Sequence, residues 1–482
     1  MDDRARPGIA ARFRNGSAEV DEPYIKEGFG QPDFAGVTTL HPVGLATLGA
    51  FAILLFLLPR RYAAIPLLAM AALIPSAQRI VVLELDFTYL RVLLLCGMLR
   101  ALLRNEARAF VWRPIDQVFL AWCVVSFVMP LLRVGTFELE TRCGYLYDAA
   151  GTYFLFRFLI RDWDDVRRLA SAAALLSIPL AAVFLIESST QRNLFSVFGG
   201  VPEITVIREG RLRCQGPYSH PILAGCFWAV LLPLCAARWW SGGARGRVEA
   251  AAGVTCGLII IYCCASSTPV GGAAAALVGG LAFYLRRHMR LVRWGILLSL
   301  VGLHLMMNAP VWHLISRVSA VGGSTGWHRF YLIDQTIRRF PEWALLGTNS
   351  TAHWGLGLFD VTNQFVVQAV VGGLLNLGLF VALLALCFQA AGRLSQRFPS
   401  DPAKAALAWA LGVAVFVHIS NFIGVTYFGQ TTLLLYAIPA LLGSLTAAAA
   451  PVPARAATRL PYLAPARWPR GQGWYDQAGT GA

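Results

Sequence analysis

The stretch GLGLFDVTNQFVVQAVVGGLLNLGLF, residues 355–380, sets Asp360, Thr362 and Asn363 at the mouth of a long apolar run. A helix start needs only one such residue. As a cap, Asp360 or Thr362 would accept bonds from the free N–H groups of the first turn, at a gain of about 1 kcal/mol. Three polar side chains together can instead hold and orient a hydroxyl. Asp360 can take its proton; a threonine hydroxyl has no useful pKa near neutrality and cannot. His220, and His353 in TAHWG, are the other ionisable candidates for that step. Two further segments carry positive charge. VIREGRLRCQGPYSHP holds Arg208, Arg211 and Arg213, and STGWHRFYLIDQTIRRFPEW holds Arg329, Arg338 and Arg339. A guanidinium offers a planar fork of donors to an anion, and a helix N-terminus favours anions too. Any one of these arginines also fits snorkelling to lipid headgroups; three together ahead of one apolar run point to an anion site.

The elements that position these residues follow from composition. Of 482 residues, 57% are hydrophobic and 14% charged, well below the roughly 25% charged of soluble domains. Apolar runs near the length that crosses ~30 Å of hydrocarbon recur along the chain, and in lipid such runs must be helical. The expected fold is an all-α polytopic bundle of 12–13 spans, near 41–58, 62–76, 88–104, 114–132, 143–160, 168–187, 217–236, 250–266, 269–286, 293–310, 362–391, 404–424 and 428–448. Residues 1–40 form a polar N-terminal tail without an apolar signal core, 41–450 the transmembrane domain, and 451–482 a Pro-, Ala-, Arg- and Gly-rich tail expected to be disordered.

The net charge of +15 comes almost wholly from arginine, scattered between spans, which argues for membrane sidedness and against nucleic acid as a partner. Loops 59–61, 100–113, 157–168, 237–247, 286–293, 391–404 and the C-terminal tail hold 24 Lys and Arg. The alternate loops 77–87, 131–142, 187–217, 266–270, 311–361 and 422–430 hold 11. The first set is therefore expected inside and the second outside. Eight of the 11 lie in 187–217 and 311–361, the two longest connections, where function on a membrane scaffold tends to sit. In the second, Phe330, Ile333, Ile337 and Phe340 recur every three or four residues, which predicts an amphipathic helix along the interface, ended by Pro341. The ten cysteines form no CxxC pair, and no GxxxxGK[ST] loop occurs, so neither a metal nor a nucleotide cofactor is expected.

Over residues 200–390 the pattern resembles the O-antigen ligase and polymerase superfamily, polytopic bacterial envelope proteins with a large outward loop late in the chain. That family often shows an Arg, a Gly three residues on, then a His-Pro-Asn-like turn entering a span. Here Arg213, Gly216, His220 and Pro221 match, with Ile222 where Asn is usual. A Ser/Thr-Gly-Arg-like helix start leading through Pro to a Gly turn is matched loosely by Ser324, Thr325, Gly326, Arg329, Pro341 and Gly347. A His-Asn pair opening a span with a Gly step is matched by Asn363, Gly372 and Gly373, with Thr362 in the place of His. The resemblance implies a metal-independent, inverting transfer of a glycan from an undecaprenyl-pyrophosphate carrier to a hydroxyl of a glycan, lipid or protein acceptor. It places the enzyme in the bacterial inner membrane, surrounded by membrane lipids and working on its periplasmic face. Arg211, Arg213, His220, Arg329 and Arg338 would bind the donor, and Asp360, Thr362, Asn363 and His353 would handle the acceptor. Two alternatives remain. One is a transporter or lipid-linked-sugar exporter, with Arg91, Asp116, Asp148 and Glu187 as its ionisable groups near spans. The other is a non-catalytic envelope-assembly homologue.

Overall fold

The computed structural model describes residues 38–82, 85–317 and 326–449. The expected tails at 1–37 and beyond 449, with Ser324 and Thr325, lie outside the described residues. The chain is a polytopic bundle of α-helices. In order these are α1 (Pro42–Leu57), α2 (Ile65–Leu73), the hairpin β1 (Arg79–Val82) and β2 (Leu85–Thr88), α3 (Tyr89–Leu103), α4 (Pro114–Val134), α5 (Leu139–Leu146), α6 (Thr152–Leu159) and α7 (Trp163–Thr190). A second hairpin, β3 (Ile207–Arg208) and β4 (Arg211–Leu212), precedes α8 (Pro221–Ala237), α9 (Gly243–Cys263), α10 (Ser267–Leu281) and α11 (Met289–Met306). Then come α12 (Gly326–Arg338), α13 (Phe340–Trp343), α14 (Gln364–Arg397), α15 (Pro402–Phe422) and α16 (Thr432–Ala448).

Among the described residues, nine helices are long and apolar enough to cross a membrane, fewer than the 12–13 spans expected. The difference lies in four apolar runs, the first of which, 41–58, gives the 16 residues of α1. The run at 62–76 yields only the nine residues of α2, which at 1.5 Å per residue covers about half a bilayer core. That at 88–104 gives the 15 residues of α3. The run at 143–160 is split into α5 and α6 by a π-turn at Tyr147–Gly151.

Helix starts follow local chemistry. His220 caps α8 with Pro221 in its first turn, and Asp401 caps α15 ahead of Pro402. α9 packs on α7 and α8, α14 on α4 and α15, and α10 on α15 and α8.

The two sets of loops separated by charge occupy the two ends of this bundle. At the arginine-rich end, Arg60 pairs with Asp165 (2.6 Å), Arg161 donates to the Glu106 carbonyl (2.7 Å) and Arg100 to that of Leu58 (2.9 Å). At the other end, Ser76 meets Ser219 (2.8 Å), Gln430 donates to the Pro217 carbonyl (2.7 Å) and Thr426 to that of Val361 (2.6 Å). That second end is the expected outer face.

Candidate functional site

The first arginine loop is anchored on a buried carboxylate. Glu187, in the last turn of α7, accepts from the backbone N–H groups of Gln215 and Gly216 and from the Thr205 hydroxyl, each at 3.0 Å. Asn193 donates to the Gly216 carbonyl at 2.8 Å. Gly216 has φ +55°, and a Cβ there would run into the ring of Phe184, so only glycine serves. This is the physical reason for a glycine three residues after Arg213. Arg213 itself is only 8% exposed, and its Nε has no partner. Glu209 and Gly210, both at positive φ, turn the β3–β4 hairpin and set Arg208 opposite Arg211.

Arg329 reaches the same end from α12. Its Nη2 donates to Thr268 Oγ1 at 2.8 Å, and its Nε has no partner. The guanidinium lies along Gly424, where an added Cβ would stand 3.1 Å from Cζ and 2.7 Å from Thr268 Oγ1. Burial lowers the pKa of Arg213 and of Arg329, and the like charge of Arg208 lowers both further. His220 is pushed down to about 3 by burial and by Arg213 and Arg208. Arg208 is thus the common neighbour of Arg213, His220 and Arg329, which converge although they lie on separate segments. Among the described residues, no carboxylate forms an ion pair with Arg208, Arg213 or Arg329. A guanidinium stays protonated regardless, so this is positive charge, partly desolvated and, among the described residues, without a direct carboxylate partner, Glu209 acting on Arg213 only from a distance.

The DVTN stretch abuts this cluster. Asn363, not Asp360 or Thr362, is the cap of α14: its Oδ1 accepts from the N–H groups of Phe365 (2.9 Å) and Val366 (3.2 Å). Its Nδ2 donates to the Ile423 carbonyl at 3.3 Å, one residue from the glycine against which Arg329 lies. Thr362 Oγ1 is 3.4 Å from Nδ1 of His328, whose Nε2 is 3.0 Å from the Gly357 carbonyl. A carbonyl only accepts, so Nε2 carries a proton, and whenever the ring is uncharged Nδ1 presents a lone pair toward Thr362. Sequence reasoning passed over His328; its one signal was adjacency to Arg329. The side chain of Asp360 is exposed, yet the surrounding protein raises its pKa by desolvation, with His328 pulling the other way.

Other expected site residues stand apart from this group. His353 pairs with Glu342 (Nε2–Oε1, 2.7 Å) and its carbonyl accepts from Arg339. Arg338 is held by Asp334 at 2.6 Å with its side chain 71% exposed, and Arg211 is exposed on its hairpin. Of the four residues of the expected amphipathic face, Ile337 and Phe340 are exposed and Phe330 and Ile333 half-buried, the helix ends at Arg338 ahead of Phe340, and Leu332 packs inward with Trp343, Trp354 and Leu358.

The glycines of the third motif break α14. Gly372 (φ −147°, ψ 28°) and Gly373 (φ +67°) leave the helix, and Leu374 N–H bonds instead to the Ala344 carbonyl at 2.8 Å. Thr348 N–H (2.9 Å) and Arg133 (3.2 Å) cover the freed Val370 carbonyl. This break docks the outer loop onto the start of α14.

The groups that would mark a transport path are engaged. Arg91 holds Asp148 through two bonds (2.8 and 2.7 Å), Arg157 holds Asp116 (2.6 and 2.9 Å), and Glu187 anchors the loop above. The chain matches no known family model, and no curated protein matches its sequence.

Proposed function

We propose that this chain is a glycan ligase or polymerase of the bacterial inner membrane, moving a polysaccharide from undecaprenyl pyrophosphate to an acceptor hydroxyl on the periplasmic face. The observation that carries this reading is the convergence of Arg208, Arg213 and Arg329, without carboxylate partners, beside the His328–Thr362 pair.

The acceptor oxygen attacks the anomeric carbon as the bond from that carbon to the pyrophosphate oxygen breaks. The electron pair goes to the leaving diphosphate, whose added negative charge the three guanidinium groups oppose more strongly in the transition state than in the ground state. The acceptor proton passes to His328 Nδ1, either directly or through Thr362. His328 thereby supplies the base that position 362 lacks. Its Nε2–H bond to Gly357 holds the ring in the tautomer that can accept. Asn363, saturated as a helix cap, positions this wall rather than touching the proton. The activated lipid supplies the driving energy.

The test is surface polysaccharide in cells carrying Arg213→Ala or Arg329→Ala at matched protein levels. Loss of polymer with either is expected; unchanged polymer with both removes the reading.

A further inference from the structure

A cavity of about 910 Å³ opens at the same outer end, and its lining contains none of Arg208, Arg213, His220, His328, Arg329, Thr362 and Asn363. Two lining residues are chain neighbours of that group: Ser219 precedes His220, and Gln364 follows Asn363. We propose that this cavity is a binding site for an uncharged, hydroxyl-rich glycan and that it discriminates against phosphorylated sugars. The proposal rests on the transfer reading only for which reaction the bound glycan enters.

The first argument is charge. The cavity's Arg91 is held by Asp148 through two bonds (2.8 and 2.7 Å), and its Arg79 is bonded to Asp86. Arg142, against the ring of Tyr145, is the remaining charged group in the lining. An anionic ligand would have to compete with two carboxylates already in place, whereas a polyol can bond to ion pairs without breaking them.

The second argument is the state of three buried amides. Gln368, 5% exposed, accepts the Trp122 indole N–H at 2.9 Å; an indole only donates, so the contact atom is Oε1. Gln364, also 5% exposed, accepts the Tyr427 backbone N–H at 2.9 Å by the same logic. Among the described residues neither amide nitrogen donates a hydrogen bond, and the two residues stand one helical turn apart in the cavity wall of α14. Gln430 is oriented the other way: its nitrogen donates to the carbonyls of Ile74 (3.2 Å) and Pro217 (2.7 Å), which leaves its oxygen to accept. Fixed neutral donors and an acceptor, with the rings of Trp122, Tyr145 and Tyr436 in the same lining, suit the hydroxyl edges and apolar faces of sugars. The π-turn at Tyr147–Gly151, a feature often found at functional sites, brings Asp148 and Ala149 into the wall.

The experiment is binding of the purified full chain, in nanodiscs, to an array of neutral and phosphorylated bacterial oligosaccharides. Neutral glycans are expected to bind, about fivefold more weakly to Gln364→Leu and to Gln368→Leu. Val371→Trp fills the cavity from an apolar position without removing a side-chain hydrogen bond, and is expected to abolish binding. Arg213→Ala is expected to bind as the parent does. Binding confined to phosphorylated glycans, binding lost in Arg213→Ala but kept in Val371→Trp, or no glycan bound at all overturns the proposal. Adding neutral glycan linked to undecaprenyl pyrophosphate identifies the source: displacement of the array ligand assigns the cavity to the donor's own chain, and persistence assigns it to a free acceptor. Because this readout is binding, it can fail while transfer still depends on Arg213 and Arg329, and the reverse.

Discussion

In the cavity, Arg91 and Arg79 each face a carboxylate, whereas in the adjoining cluster Arg208, Arg213 and Arg329 have none among the described residues. The two regions share one end of the bundle and are linked along the chain at Ser219–His220 and Asn363–Gln364. Arginine is common to both; what differs is whether its charge is spent within the protein or left for a ligand. Paired guanidinium groups build a neutral wall. Unpaired, partly desolvated ones store an interaction that only an anion can complete. The arginine-rich end of the bundle follows the first pattern, with Arg100 on Glu106, Arg157 on Asp116 and Arg238 on Glu249.

The contrast is broken most directly at Arg213 and Arg329. Alanine at either is expected to lower transfer about 100-fold or more, read as polymer formed per unit of protein, while leaving thermal stability in detergent unchanged or raised. A large fall in stability would mean these groups are structural after all. His328→Ala is expected to cost 10²- to 10⁴-fold in rate, the range for a general base. Thr362→Val should cost less, and equal losses would point to a proton route through the hydroxyl.

Gly424→Ala sharpens the geometry without removing a charge, because its methyl would crowd Thr268 and the Arg329 guanidinium. About a tenfold loss of activity with an intact fold is expected. On the paired side, Arg91→Ala leaves Asp148 without its partner and should destabilise by roughly 1 kcal/mol, the pair being about a quarter exposed. The smallest effect concerns pH. His220, with a folded pKa of about 3 against the usual ~6.5, binds its proton more readily unfolded, so stability falls as pH drops from about 6.5 toward 3. His220→Asn keeps a capping oxygen and removes the titration, so its melting temperature should decline less on acidification.

Much of the fold was legible because lipid imposes a simple rule on sequence. Each apolar run became helical, and the loops sorted by arginine count fell at opposite ends. Span length was less legible where short-range features cut a run, as at Pro66 in α2 and the π-turn before α6. In the candidate site, Arg213, Gly216 and Arg329 could be singled out from sequence because glycine constraints and clustered charge leave marks in a linear pattern. His328 could not, since its role depends on a carbonyl 29 residues away that fixes its tautomer. The carboxylates that engage His353 and Arg338, Glu342 and Asp334, are likewise contacts that a linear pattern does not display.

Composition and hydropathy by themselves determined that this chain is a helical membrane protein and which loops share a face. Those properties sum over many residues, each governed by its own transfer free energy. Tertiary structure alone decided which arginines go unpaired, which of three polar residues caps α14, and where a histidine meets Thr362. Each depends on one partner brought from a distant segment, and pairwise contacts at hydrogen-bond range leave no period or composition for a sequence to display.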